Sequence, residues 1–143
     1  MSEELRLRII SAIVLAIIVL AATWMGGLYF VVLSLAIGGL VYHEWTGITG
    51  AHQTDREVYW VGWAALALVG VAVVLDQRVE LPLEYLWGAA ALLLVYALAR
   101  AGNRWNPGGI VYAGLTAVSL AAIRDDDFTG FIAMLYIFAV VWG

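Results

Sequence analysis

Two histidines are the side chains best suited to metal chemistry in this sequence, but their surroundings do not support a metal site. His43 and Glu44 match the start of the helical zinc motif H-E-x-x-H, whose second histidine would fall at position 47, which is Gly47. His52 lies in a polar stretch and has no partner at ligand spacing. We therefore interpret both histidines as solvated side chains.

Three consecutive carboxylates, Asp125, Asp126 and Asp127, are the next candidate. Clustered carboxylates bind Mg²⁺ together with phosphates and water, so the cluster could serve a diphosphate. It also stands directly before an apolar run that begins at Phe128, where negative charge is favoured by the dipole of a helix. We favour the interpretation as a helix start.

Arg100 and Arg104, beside Trp105, could contact lipid phosphates through their planar guanidinium groups. The alternative, which we favour, is that they only orient the chain in a membrane. A phosphate-binding glycine loop is not indicated, because no Lys follows Gly108 and Gly109 and the chain contains no Lys. The sequence thus predicts no catalytic, cofactor-binding or metal-binding residue in this chain.

The elements that carry these side chains are long apolar runs, and every charge falls between runs or at their ends. A charge at the centre of a bilayer costs about 2.5–3.5 kcal/mol on insertion scales, so this pattern indicates membrane spans. With 64% hydrophobic and 13% charged residues and a mean hydropathy of +0.94, a soluble domain is excluded. The lack of cysteine excludes disulfides, and the net charge of −4 argues against nucleic acid as a partner.

Six apolar runs predict an all-α, polytopic membrane helix bundle that forms one transmembrane region. The first could instead be a cleaved signal peptide, but Glu3 and Glu4 dilute its positive end and it exceeds a usual signal core. We expect Pro82 to precede the fourth helix, and Asn106 to cap the fifth with Pro107 in its first turn. The expected spans lie near 9–25, 28–45, 58–75, 84–99, 107–123 and 128–143.

The fifth run carries small residues at every fourth position, which gives a helix one face that a neighbour can approach closely. We therefore expect this helix inside the bundle. Its small residues are Gly109, Ala113, Ala117 and Ala121.

The arginines predict the orientation, because the positive-inside rule places the richer side in the cytoplasm. Arg78 and Arg124 fall on one side of the membrane, and five arginines on the other. Both ends of the chain are therefore expected in the cytoplasm. Tryptophans at the run ends are interpreted as interface anchors: Trp24, Trp45, Trp60, Trp87, Trp105 and Trp142. The five arginines are Arg6, Arg8, Arg56, Arg100 and Arg104.

Six segments, spread in order over the whole chain, carry a resemblance to a known family. They are residues 5–12 (LRLRIISA), 24–27 (WMGG), 42–45 (YHEW), 106–115 (NPGGIVYAGL), 120–124 (LAAIR) and 138–143 (FAVVWG). Together they resemble the bacterial phosphatidate cytidylyltransferase family, also called CDP-diacylglycerol synthases.

The resemblance implies a multi-pass enzyme of the bacterial inner membrane. Such an enzyme joins CTP to phosphatidate, releasing pyrophosphate and forming CDP-diacylglycerol, with Mg²⁺ expected in the full-length protein. Membrane lipids, CTP and phosphatidate would be its partners, and a homodimer is possible.

One departure from the family bears on the mechanism. In the family, an Asp follows shortly after the position of Trp142. A signature with Lys-Arg and Lys-Asp pairs lies further downstream. This chain contains neither. We therefore expect this chain to be truncated before the catalytic half of the enzyme. On its own, the chain is expected to bind no metal and to be inactive. The alternative is a small non-catalytic membrane protein that packs against partner helices. A transporter is disfavoured, since the runs contain no ionisable group.

Overall fold

The computed structural model describes residues 3–76, 78, 83–124 and 127–142, and within them it contains helices and no strand. The all-α membrane helix bundle predicted from the sequence is confirmed. The helices are α1 (Glu3–Met25), α2 (Gly27–Thr49), α3 (Ala51–Thr54), α4 (Arg56–Asp76), α5 (Glu84–Arg100), α6 (Trp105–Arg124) and α7 (Phe128–Trp142).

Six of these helices cover the six expected runs, and the short α3 adds a single turn. Among the described residues, α1, α2, α4 and α6 are long and apolar enough to cross a membrane. Helix α5 has 17 residues and α7 has 15, about 25 and 22 Å. That all six cross stays a prediction.

Helix α2 is longer than its expected span of 28–45, because it continues through Trp45 to Thr49. It ends at Gly50, whose φ of 69° is left-handed and whose N–H bonds to Thr46 O. The break before α2 also uses glycine, with a φ of 63° at Gly26 and 48° at Gly27.

Helix α6 is the centre of the bundle, since it packs against α2, α4, α5 and α7. Gly109, Ala113 and Ala117 are buried, which confirms the face expected from their spacing, while Ala121 is half-buried. At Gly38 of α2, an added Cβ would lie 2.9 Å from Ala117 Cβ and 3.0 Å from Ala113 O. The two helices are thus in close contact along this face.

Helix α4 completes the core, since it packs against α2, α5 and α6. The Tyr42 hydroxyl donates a hydrogen bond of 3.1 Å to Tyr59 O, and it occupies the place of a side chain at Gly62. The buried core consists of Tyr42, Val58, Ala65, Ala97, Ile110 and Ala113.

An aspartate, Asp127, directly precedes helix α7, as the helix-start interpretation of the carboxylate cluster expects. Asp127 Oδ1 accepts a 2.7 Å hydrogen bond from Gly130 N, which holds the pKa of the Asp127 carboxyl below its ordinary value. Asp125, Asp126 and Pro82 lie outside the described residues.

The contact of α2 with α6 can be tested at Gly38. We expect Gly38→Ala to lower the free energy of unfolding by about 1–3 kcal/mol, because its Cβ meets Ala117 and a backbone carbonyl. The measurement is denaturation of the micelle-bound chain with SDS, followed by circular dichroism. Gly88→Ala on α5 is the control, since nothing lies within 4 Å of its added Cβ. An equal effect of both changes would contradict the packing.

Candidate functional site

Polar side chains gather at one end of the bundle, where α3 meets α4 and where α5 meets α6. Asp55 lies between α3 and α4 and accepts three hydrogen bonds from the α5–α6 segment. The backbone N–H groups of Gly102 and Asn103 donate to it at 3.3 Å each, and Asn106 Nδ2 donates to its Oδ2. We call these four residues the Asp55 clamp.

The sequence predicted that Asn106 caps α6, and this prediction is wrong. The helix begins at Trp105, whose N–H donates to Asn103 Oδ1 at 3.1 Å, so Asn103 is the capping side chain. Asn106 instead lies inside the first turn with 1% of its surface exposed, next to the buried Pro107. Its amide is thereby free to donate to the Asp55 carboxylate across the bundle.

Trp45 adds a second link from α2 to the start of α6. Its Nε1 donates a 2.8 Å hydrogen bond to Trp105 O, and its ring lies over Gly109, where an added Cβ would be 2.4 Å from Trp45 Cδ1. The sequence predicted only interface anchoring for Trp45, whereas its main contacts in the structure are with α6. Trp105, which is 67% exposed, retains the position of an anchor.

A third contact joins α4 to α5 on the rim of the same end. Arg100 Nη2 lies 3.3 Å from Glu57 Oε2, and the Tyr96 hydroxyl donates to Glu57 Oε1. The side chains of Arg100 and Glu57 are 59% and 51% exposed, so the ion pair itself contributes little to stability. Arg104 is also exposed, and the interpretation of both arginines as orienting charges stays a prediction.

The hydrogen bonds at this end hold helix ends in register. The Asp55 carboxylate is occupied by N–H donors, and within the described ranges no three His, Cys, Asp or Glu residues converge as metal ligands. His43 is exposed, and His52 Nδ1 lies 3.3 Å from Thr46 O. The structure does not bring the two histidines into one site.

Arg124, at the opposite end, is a residue whose role the sequence analysis missed. It was counted only as a charge on one side of the membrane, but it is 6% exposed. Its Nε donates to Thr23 O at 2.7 Å and its Nη2 to Trp24 O at 3.4 Å, while Nη1 reaches Asp127 O at 3.3 Å. The absence of a side chain at Gly26 leaves space for the guanidinium, because a Cβ there would be 2.6 Å from Arg124 Nη2. Arg124 thus ties the α1–α2 turn to the α6–α7 turn.

Comparison with known proteins matches residues 6–143 to the cytidylyltransferase family. Proteins named phosphatidate cytidylyltransferase from Brucella abortus, Brucella suis and Brucella melitensis are each 40% identical over 140 residues. Each alignment covers 98% of this chain and 51% of the relative, so the chain spans about half the length of these curated relatives. No solved structure matches.

The Asp55 clamp predicts a local loss of order when its acceptor is removed. We expect Asp55→Ala to lower the free energy of unfolding by about 1–3 kcal/mol and to speed tryptic cleavage after Arg100 and Arg104, since the α5–α6 segment loses its hydrogen bonds. Asp55→Asn retains one acceptor oxygen and should have an intermediate effect. Asp76→Ala, at the exposed far end of α4, is the control. Unchanged cleavage in Asp55→Ala would show that the clamp does not hold the segment.

Proposed function

The chain belongs to the cytidylyltransferase family, and we propose that it is the N-terminal membrane part of an enzyme that makes CDP-diacylglycerol. In this reaction a phosphate oxygen of phosphatidate attacks the α-phosphorus of CTP, and pyrophosphate leaves. The observation that carries the proposal is the 40% identity to phosphatidate cytidylyltransferases over 98% of the chain. The resemblance seen in the sequence motifs is confirmed by this match.

We propose that this half positions helix ends. Among its described residues no three His, Cys, Asp or Glu side chains come together as ligands of an ion. Mg²⁺ requires several oxygen ligands at close to octahedral geometry. The Asp55 oxygens are taken by N–H donors and Glu57 is paired with Arg100, so neither carboxylate suits the ion. We propose that the metal and the CTP phosphates are held by the half of the enzyme that the relatives have in addition.

The Asp55 clamp is proposed to lie on the cytoplasmic face of the inner membrane. Arg56 follows Asp55 directly, and Arg100 and Arg104 flank the segment that the clamp holds. Together with Arg6 and Arg8 these charges favour a cytoplasmic position. CTP is a cytoplasmic substrate, so the clamp would fix helix ends on the side where the reaction takes place.

The alternative function, a non-catalytic protein that packs against partner helices, is no longer supported by the feature that suggested it. Its basis was the small-residue face of α6, and this face is already covered by α2 within the chain.

A chimera tests the proposed function. Residues 1–143 are joined to the part of the Brucella abortus relative beyond the region that they match, and membranes are assayed for CDP-diacylglycerol from radiolabelled CTP and phosphatidate. We expect activity in the chimera and none with residues 1–143 alone, because the metal and nucleotide ligands lie outside them.

Two controls make the chimera decisive. The Brucella half expressed alone should be inactive, and the chimera carrying Asp55→Ala should lose a large part of the activity without losing expression. A folded, membrane-inserted chimera without activity would contradict the proposal, as would synthesis by residues 1–143 alone.

The proposed orientation predicts which positions a membrane-impermeant maleimide reaches. The chain has no cysteine, so single substitutions can be labelled without background. Glu84→Cys, at the start of α5, should react in intact cells, and Gln53→Cys, in α3, only after permeabilisation. Both positions are exposed in the structure. The reverse pattern would place the Asp55 clamp outside and contradict the proposed side.

A further inference from the structure

Helices α1, α2 and α7 enclose an apolar cleft of about 460 Å³ that the proposed function does not use. Its walls contain hardly any polar surface, and it lies well within the membrane-spanning parts of α1 and α2. We call it the α1 cleft. Residues that line it include Leu15, Ala16, Val19, Leu33, Ile37 and Phe138.

The cleft arises because α1 is held firmly only at its C-terminal end. Thr23 is fully buried and its carbonyl accepts the hydrogen bond from Arg124, and Trp24 packs edge-on against Phe131 at 5.3 Å. Towards the N-terminus, the large apolar side chains of α1 between residues 5 and 18 are exposed, while Ala16 is half-buried. The bilayer therefore reaches α1 on the side of the cleft where the helix begins.

The lining and size of the cleft favour a hydrocarbon chain. Its walls are apolar, which excludes water. One turn of a helix about 10 Å wide occupies about 420 Å³, so a spanning helix of about 20 residues would cover the cleft with side chains and not enter it. The cleft therefore admits a hydrocarbon chain of the bilayer, and a covering helix from a second copy is the competing occupant that cross-linking would detect.

A positive charge stands on the same stripe of α1 as the cleft. Arg8 precedes Leu15 by seven residues and Val19 by eleven, which are spacings that share one helix face. Arg8 is exposed and lies about 10 Å from Leu15 along the axis, on the side of the cleft where α1 begins. Its guanidinium is thus placed for the phosphate of a lipid whose acyl chain enters there.

We propose that the α1 cleft binds one acyl chain of an anionic glycerophospholipid from the leaflet on the side where α1 begins, with its phosphate at Arg8. This site requires no catalysis, so it stands whether or not the proposed function is correct. It places a lipid between the peripheral helix α1 and the rest of the bundle.

The acyl-chain part is tested with the whole chain in phosphatidylcholine vesicles that contain phosphatidylglycerol with a photoreactive diazirine on its acyl chain. Mass spectrometry of the labelled peptides should place the label on the cleft-lining parts of α1, α2 and α7. Ala16→Phe fills the cleft and should reduce labelling about tenfold, as expected when about two methylenes lose their apolar surroundings. Ala21→Phe is the matched control, because Ala21 is exposed and faces away from the stripe.

The headgroup part is tested by comparing this probe with a photoreactive phosphatidylcholine. Arg8→Gln should reduce labelling by the anionic probe about fivefold and leave the zwitterionic probe unchanged. Arg6→Gln is the control, because two residues along a helix turn its side chain by about 200° away from Arg8. Equal effects of the two changes would overturn the role of Arg8.

Three results would overturn the acyl-chain site. They are label spread evenly over the lipid-facing surface of the wild-type chain, equal labelling of Ala16→Phe and Ala21→Phe, and cross-links between two copies through cleft residues. If Ala16→Phe fails to insert, the position of the label on the wild-type chain decides alone.

Discussion

Close contact between α2 and α6 is the constraint on which the rest of the bundle depends. Lipid tails are as apolar as leucine side chains, so helices in a bilayer associate through close packing and hydrogen bonds. Gly38 lies directly against Ala113 and Ala117, and Trp45 lies over Gly109. Because α4, α5 and α7 also contact α6, their positions follow from this pairing.

The polar contacts at the end of the bundle near Asp55 follow from the same pairing. Once α6 lies at the centre, its first turn and the segment before it are within reach of α2 and of the α3–α4 junction. Trp45 and Asp55 both form hydrogen bonds with the chain where α5 is followed by α6. The helix ends on this face are therefore tied to one another by hydrogen bonds.

The sequence predicts this architecture as far as local pattern determines it. Charges confined to the gaps between apolar runs locate the helices, and the four-residue spacing from Gly109 to Ala117 identifies the buried face of α6. The predicted cap of α6 was wrong, because Asn103 and Asn106 are both residue types that cap helices. Only the position of Asp55, which is 51 residues away from Asn106, decides between them. The burial of Arg124 has no local signal, since its acceptor at Thr23 is 101 residues distant.

Helix α1 shows what happens where the close-packing constraint is absent. The cleft beside it is lined by larger side chains such as Leu15, Val19 and Leu20, whereas Gly38 brings α2 and α6 together. The contacts of α1 therefore concentrate at the turn where Arg124 bonds to Thr23 and Trp24. An apolar gap between helices in a bilayer is filled by the surrounding hydrocarbon, because an empty space loses dispersion contacts on every wall. The same choice of side-chain size that fixes the centre of the bundle thus leaves room for lipid at its edge.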